Sequence, residues 1–161
     1  MTAHIIDTVE VLTELVHHNV VNEGRLRDAA DIADESMNKR LLNHMADKRA
    51  AIAEELQAHA ATFGRVPDAE PTLVDKLGRA VTKFRGLVTS DETDTLLDKA
   101  ANCESRLGNE YRDALADQRM DPEVKSVLIR QIEETADFPS MLKRIEQDEC
   151  VTEVSRGRGV V

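Results

Sequence analysis

The sequence predicts an all-α protein in which four long helices form an antiparallel bundle, with a shorter helix between the second and the third. Three observations lead to this class. Of the 161 residues, 41% are hydrophobic, which is enough for one buried core. Only 2% are aromatic, and 7 glycines with 4 prolines are too few for the turns of a β-sandwich. Apolar residues also recur at steps of three and four, which is the spacing of one helix face.

The first two helices are predicted over residues 2–34 and 36–63. Ser36 is a suitable N-cap for the second helix, and Gly64 with Pro67 just beyond it ends that helix. The apolar face of the first helix consists of Ile5, Val9, Leu12, Val16, Asn19, Glu23, Leu26, Ala30 and Ala33. The face of the second consists of Leu42, Met45, Arg49, Ile52, Leu56, His59 and Phe63. Each face therefore carries charged or polar residues near its middle.

A shorter amphipathic helix is predicted over residues 72–88, after a loop that contains Pro67 and Pro71. It is locally basic in an acidic chain, because it carries Lys76, Arg79, Lys83 and Arg85. An anion-binding or membrane-binding helix is one interpretation of this pattern. We favour a helix laid across the bundle with a solvated charged face, because its apolar face is short.

The third helix is predicted over residues 91–118, and the fourth runs from Asp121 to about residue 148. Asp121 as N-cap with Pro122 at the first helical position is a strong start signal. Pro139 should kink or divide the fourth helix. The face of the third helix consists of Leu97, Ala100, Glu104, Leu107, Tyr111 and Ala114. The face of the fourth consists of Val124, Leu128, Ile132, Thr135, Leu142 and Ile145.

The connections between the helices predict the topology. The first and second helices, and the third and fourth, are joined by short turns, so each pair should form an antiparallel hairpin. A long crossover between two such hairpins is the ferritin-like form of the four-helix bundle. We therefore predict one ferritin-like bundle over residues 1–149 and a flexible tail over 150–161, where Arg-Gly-Arg-Gly occurs without periodicity.

Charge and cysteine content limit the function. A formal net charge of −10 repels phosphate backbones, so we expect no nucleic-acid partner. No apolar run is long enough for a transmembrane segment, and the N-terminus lacks the pattern of a signal peptide. Cys103 and Cys150 are far apart in sequence, and reduced thiols in a cytoplasmic protein are the simplest interpretation. A structural disulfide between them is an alternative without support.

A ferritin-like bundle can hold two metal ions, for which it needs one Glu from each of two helices and Glu-x-x-His from each of the others. Glu23 and Glu104 suit the single-Glu positions. The fourth helix offers Glu134 and Asp137 as an acid-x-x-acid pair in place of acid-x-x-His. The second helix has no such motif at its centre, so an intact dimetal site is not predicted.

Arg49 suggests a structural alternative to the metal site. It lies as far after the first turn as Glu23 lies before it, so the two should stand at one height in an antiparallel hairpin. We predict a buried Glu23–Arg49 salt bridge in the space of a metal, because a guanidinium can bind a carboxylate bidentately. For Glu104 we expect either a hydrogen bond to Thr135 or a charge pair with Arg130 or Arg49. The structural polar core is thus predicted to contain Glu23, Arg49, Glu104 and Thr135.

The other candidate residues point to no further chemistry. His17 and His18 project about 100° apart on a helix and are poor chelators of one ion. Cys103 has no neighbouring pattern of a nucleophile, and we expect it to pack as a small hydrophobe. A metal held by Glu23, Glu104, Glu134 and Asp137 remains as the alternative site, with iron or manganese as the cofactor.

The sequence resembles a bacterial family of ferritin-like four-helix-bundle proteins that is known only as a domain of unknown function. The resemblance extends from Ile5 to Ile145 and implies a ferritin-like fold without an established activity. It depends on segments in order along the chain: Arg27-Asp28-Ala29-Ala30-Asp31, Ala46-Asp47-Lys48-Arg49 with Leu56, Gly78-Arg79 to Gly86-Leu87-Val88-Thr89, and Asp121-Pro122-Glu123-Val124. This chain departs from the family where the fourth helix often carries a His, because it has Phe138-Pro139 there.

These observations predict a non-catalytic, cytoplasmic bundle protein without a cofactor. We expect it to self-associate, with a dimer as the simplest form, or to bind a protein partner. The alternative from a different class is an iron- or manganese-binding carboxylate protein with oxidoreductase or storage activity.

Overall fold

The computed structural model describes residues 2–63 and 93–157. Helices α1 (Thr2–Ile32) and α2 (Ser36–Phe63) make up the first range. Helices α3 (Thr93–Ala116), α4 (Pro122–Glu134) and α5 (Phe138–Gly157) make up the second. The described ranges contain no strand, which confirms the all-α class. The predicted crossover helix over 72–88 lies outside the described residues.

Asp121 begins α4 as predicted. Its Oδ1 accepts hydrogen bonds from the backbone N–H groups of Glu123 at 2.8 Å and Val124 at 3.2 Å. Pro122 occupies the first helical position, where a missing N–H costs nothing. These contacts satisfy two of the donors that a helix start leaves unpaired.

The predicted fourth helix is divided, and Pro139 explains the position of the break. In a continuous helix, residue 139 would donate its N–H to the carbonyl of Thr135, but proline has no N–H and its ring clashes with that carbonyl. The carbonyl oxygen of Thr135 instead accepts from the N–H of Phe138 at 3.1 Å. The chain therefore turns at residues 135–137 and restarts as α5, with Pro139 in its first turn.

Helix α5 continues through Gly157. The boundary predicted between bundle and tail, at residue 149, thus falls inside a helix. Val151 and Val154 lie on this continuation and are exposed.

The helices pack around two buried apolar clusters, one toward each end of the molecule. Packing between α1 and α2 is the most extensive, and α3 contacts α1, α4 and α5. One cluster contains Leu26, Leu42, Met45, Leu97, Phe138, Leu142 and Ile145 among its members. The other contains Leu12, Val16, Ile52, Leu56, Leu107, Tyr111 and Leu128 among its members. Along α1, α2, α3 and α4, a set of buried polar residues lies between the members of the two clusters, and this set forms the site described next.

Within the ranges 2–63 and 93–157, no helix combines the length and apolar character needed to cross a bilayer.

Candidate functional site

Five buried polar residues come from four different helices and lie at the same level of the bundle. This central polar layer consists of Asn19 and Asn22 from α1, Arg49 from α2, Glu104 from α3 and Gln131 from α4. Each of them continues the apolar face of its helix at a step of three or four residues, which is why folding carries them inward. The layer separates the two apolar clusters.

The centre of the layer is a salt bridge between Arg49 and Glu104. Arg49 is 3% exposed and Glu104 is 4% exposed. The guanidinium donates from Nε to Glu104 Oε1 at 3.0 Å and from Nη2 to Oε2, so the pair is bidentate. Such a geometry compensates much of the cost of burying the two charges.

Three neighbours hold this pair in place. Asn22 Nδ2 donates to Glu104 Oε1, and Arg49 Nη1 donates to Asn19 Oδ1 at 3.1 Å. The ring of Phe138 lies 5.3 Å from the guanidinium carbon, within range of a cation–π contact. The carboxylate and the guanidinium are each bonded to a second polar side chain, so neither depends on the other alone.

The predicted Glu23–Arg49 salt bridge is wrong. Glu23 is only half-buried, and its Oε1 accepts from Arg27 Nε at 2.9 Å, one turn along the same helix. Arg27 also reaches Asp47 on α2 at 2.9 Å. The predicted level along the bundle axis was close, but Asn22 rather than its neighbour Glu23 faces the interior. From Asn19 to Leu26 the buried face therefore advances by three residues and then by four, whereas the sequence suggested four and then three.

A directed chain of hydrogen bonds leads from Arg49 to the surface. Asn19 Nδ2 donates to the hydroxyl of Tyr111 at 3.2 Å, and that hydroxyl donates to Gln131 Oε1 at 2.9 Å. Gln131 Nε2 then donates to Glu55 Oε2 at 2.7 Å. Every link donates outward, from the buried cation toward a surface carboxylate, so the links polarise one another. Burial raises the pKa of Tyr111 to about 12 from the ordinary value of 10.0, so its hydroxyl remains a donor further into the alkaline range.

The chain ends in a network of surface charges between α2 and α4. Glu55 and Glu134 both accept from Arg130, and Lys48 Nζ lies 2.9 Å from Glu134 Oε2. The Lys48 ammonium, with Arg130 as a second donor, lowers the pKa of Glu134. Thr135 is half-buried, and its hydroxyl donates to the carbonyl of Gln131 at 2.9 Å. Thr135 therefore closes the end of α4 and does not bind Glu104.

The residues of the alternative metal site do not fit a metal centre. Both oxygens of Glu104 are bonded to Arg49, Glu23 is bonded to Arg27, and Glu134 is bonded to Lys48. Asp137 is exposed in the turn between α4 and α5. Among the described side chains, no three His, Cys, Asp or Glu groups are close enough to hold one ion. The guanidinium of Arg49 is bound to the carboxylate that would have to be central to such a site.

A second buried carboxylate, Glu149 on α5, was missed from the sequence. It is 3% exposed and holds the turn between α1 and α2. Glu149 accepts from the backbone N–H of Asp34 at 3.0 Å, from that of Glu35 at 3.3 Å and from Asn38 Nδ2 at 2.9 Å. The available signal was its spacing, because it continues the face of Leu142 and Ile145 at the next step. Gln131 was missed although it follows Leu128 in the same way.

Two histidines and one of the cysteines lie along a groove between α1 and α3. Both cysteines are free thiols. Cys103 is half-buried in a groove between α1 and α3, where its sulfur contacts Arg25, and burial raises the pKa of its thiol. A thiol with a raised pKa is a poor nucleophile. His18 pairs with Glu110 across the same groove.

A known protein family matches more than half of the chain. The sequence matches the family described as "Domain of unknown function (DUF2383)" over residues 7–117, a range that includes most of α1, all of α2 and all of α3. No curated protein matches the chain.

Proposed function

The chain belongs to the DUF2383 family, a domain of unknown function, and we propose that it is a non-catalytic, ferritin-like bundle protein that acts by self-association. The observation that carries this proposal is the buried Arg49–Glu104 pair. In a ferritin-like bundle the central level between the helices is where metal ions bind. Here the guanidinium of Arg49 neutralises the carboxylate of Glu104, so this central level serves to join α2 to α3.

The direction of the helices supports the ferritin-like arrangement. Along α1 and α3, Arg25 contacts Cys103 whereas Asn19 contacts Tyr111, so residue numbers rise on one helix as they fall on the other. Helices α1 and α2 are joined by residues 33–35 alone, so they are also antiparallel. It follows that α2 and α3 run parallel, and a parallel pair requires the long connection that defines this topology.

Exposed apolar side chains at one end of the molecule support self-association. Met37 is 61% exposed, Val151 65% and Val154 53%. Hydrogen bonds from Thr152 to Glu35 and from Asn38 to Glu149 place this part of α5 beside the start of α2. We call Met37, Val151 and Val154 the end patch. Large exposed apolar groups gathered in one region are typical of protein interfaces.

The cytoplasmic location is also part of this proposal. It is supported by the two free thiols, because secreted chains favour disulfides.

Metal analysis tests the proposed role of the centre. Protein purified without chelators is compared with its Glu104→Gln variant by elemental mass spectrometry. We expect no stoichiometric iron or manganese in the wild type. Stoichiometric metal that disappears in Glu104→Gln would overturn the proposal in favour of a metal protein.

Light scattering coupled to gel filtration tests self-association. We expect the wild type to form a dimer and the Val151→Asp/Val154→Asp variant to be a monomer of unchanged helicity. Ile129→Asp is the matched control, because Ile129 is an exposed apolar residue that lies on α4, outside the end patch. A monomeric wild type, or equal dissociation by the control variant, contradicts the end patch as the interface.

A further inference from the structure

A cleft of about 290 Å³ opens beside the central salt bridge, between α3 and the break that separates α4 from α5. Arg49, Glu104 and Tyr111 line its inner part, and Arg112 and Thr135 also line it. From this geometry we propose that the cleft binds a small aliphatic carboxylate. Thr135, Ala136 and Pro139, at the break between α4 and α5, form one wall of this cleft.

Two guanidinium groups face this one cleft. Arg49 is almost completely buried and carries five N–H donors, of which three bind Glu104 and Asn19. Two of its N–H groups take no part in these bonds, and Arg49 lines the cleft. Arg112 is exposed and uses Nη1 to bind Asn109 at 2.9 Å, which leaves Nη2 for a second contact. Paired N–H donors of this kind match the two oxygens of a carboxylate.

The other residues that line the cleft determine which charge and which chemical class of ligand it favours. Glu104 does not repel an anion strongly, because Arg49 and Asn22 already donate to its oxygens. The lining therefore has a net positive charge within a chain whose formal net charge is −10. Leu107, Ile132 and Pro139 form apolar walls, which suit a short aliphatic body more than a free phosphate ion.

Gly108 supports a ligand-binding use of this space. It lies inside α3, where glycine is less favourable than alanine by about 1 kcal/mol. A methyl group at this position would meet Arg112 Nη2 at 3.7 Å, an ordinary contact distance. Packing therefore does not require glycine here. A side chain larger than methyl would project into the cleft and reduce its volume.

Tyr111 gives a direct test, because it is the only tyrosine in a chain without tryptophan and it lines the cleft. Hexanoate is titrated while the tyrosine fluorescence is recorded, and calorimetry measures the same affinity independently. We expect a saturable change with hexanoate and none with hexanamide, which has the same body without the charge. Inorganic phosphate should bind at least about tenfold more weakly than hexanoate, since it gains nothing from the apolar walls.

Three variants locate the binding. Arg112→Gln should weaken hexanoate binding by roughly 10- to 100-fold, the value of a hydrogen bond to a charged group. Gly108→Leu should abolish it by filling the cleft, with circular dichroism used to verify the fold. Arg144→Gln, which removes the same charge outside the cleft, should leave the affinity unchanged. No saturable response in the wild type, unchanged affinity in Arg112→Gln and Gly108→Leu, or a preference for phosphate or hexanamide would each overturn the assignment.

Discussion

Among the residues whose burial the structure describes, two glutamates are buried, and they are stabilised by different means. Glu104 lies in the central polar layer and is bound bidentately by the guanidinium of Arg49. Glu149 lies where α5 meets the turn between α1 and α2, and its hydrogen-bond donors are two backbone N–H groups and one side-chain amide. One carboxylate is neutralised by an opposite charge. The other is held by two backbone N–H groups in the turn that leads into α2, close to the helix start, where the helix dipole favours a negative charge.

This difference shows which groups stabilise the negative charge of each buried carboxylate. Arg49 is the one cation bound to Glu104, and the other donor, Asn22, is neutral, so removing Arg49 should leave the buried charge of Glu104 without compensation. The charge of Glu149 is shared among three donors, two of which belong to the backbone and cannot be mutated. The comparison can be tested by changing each group in turn.

The largest effect is expected for Arg49→Ala. It should lower the free energy of unfolding by about 3–5 kcal/mol, because Glu104 would remain buried without its counter-charge. Chemical denaturation measures the change. The double variant Arg49→Met/Glu104→Leu should recover most of the loss, since it removes both charges. A double variant as unstable as Arg49→Ala would show that the polar layer is needed for packing rather than for charge balance.

A smaller loss in the free energy of unfolding is expected at high pH, where Tyr111 loses its proton. Burial raises its pKa to about 12 from the ordinary value of 10.0, so the folded state holds the phenol proton more tightly than the unfolded state does. This contribution to stability is present below about pH 10 and is lost as the pH rises to about 12, and it is worth about 2–3 kcal/mol.

The Tyr111→Phe variant isolates that contribution. Its free energy of unfolding should fall less between about pH 9 and pH 12 than that of the wild type. Tyrosinate absorbance in the wild type should rise at a higher pH than in free tyrosine. Parallel pH profiles in the two proteins would contradict the assignment.

For Glu149→Gln we expect a loss of about 1–3 kcal/mol, because the amide keeps the shape of the side chain but turns an N–H group toward other donors. Hydrogen exchange at the amides of Asp34 and Glu35 should accelerate with it. Asp148→Asn is the matched control, since Asp148 is exposed and precedes Glu149 in sequence. Equal losses in the two variants would mean that the buried contacts of Glu149 contribute nothing specific.

The smallest effect is expected for Glu134→Gln, at less than about 1 kcal/mol, because its ion pairs with Lys48 and Arg130 are exposed to solvent and screened by salt. The lowered pKa of Glu134 means that this contribution is present above the ordinary pKa of a glutamate and is lost on acidification. Thermal unfolding at low and high salt measures it. A large effect that does not change with salt would contradict a surface role.

Much of the fold could be predicted from the sequence because its signals are local. The start of α4 at Asp121 and Pro122 depends on capping within a few residues, and Pro139 excludes one backbone hydrogen bond wherever it stands in a helix. The division between α4 and α5 follows from that exclusion. The end of α5 could not be predicted, because the sequence after residue 150 carries little apolar periodicity.

The candidate site was predictable only in part. The sequence by itself determined that Arg49 and Glu104 lie on inward faces, because their spacing from Met45, Ile52 and Leu107 follows the turn of a helix. It could not determine which of Asn22 and Glu23 points inward, since adjacent helical residues project about 100° apart and both steps satisfy the pattern.

Only the tertiary structure decided how each helix is rotated and which side chains meet. That rotation pairs Arg49 with Glu104 instead of Glu23, and it brings Glu149 to a turn more than a hundred residues away in sequence. The physical reason is that helical periodicity depends on neighbours along one chain segment, whereas the partner of a buried charge depends on how separate helices pack against one another.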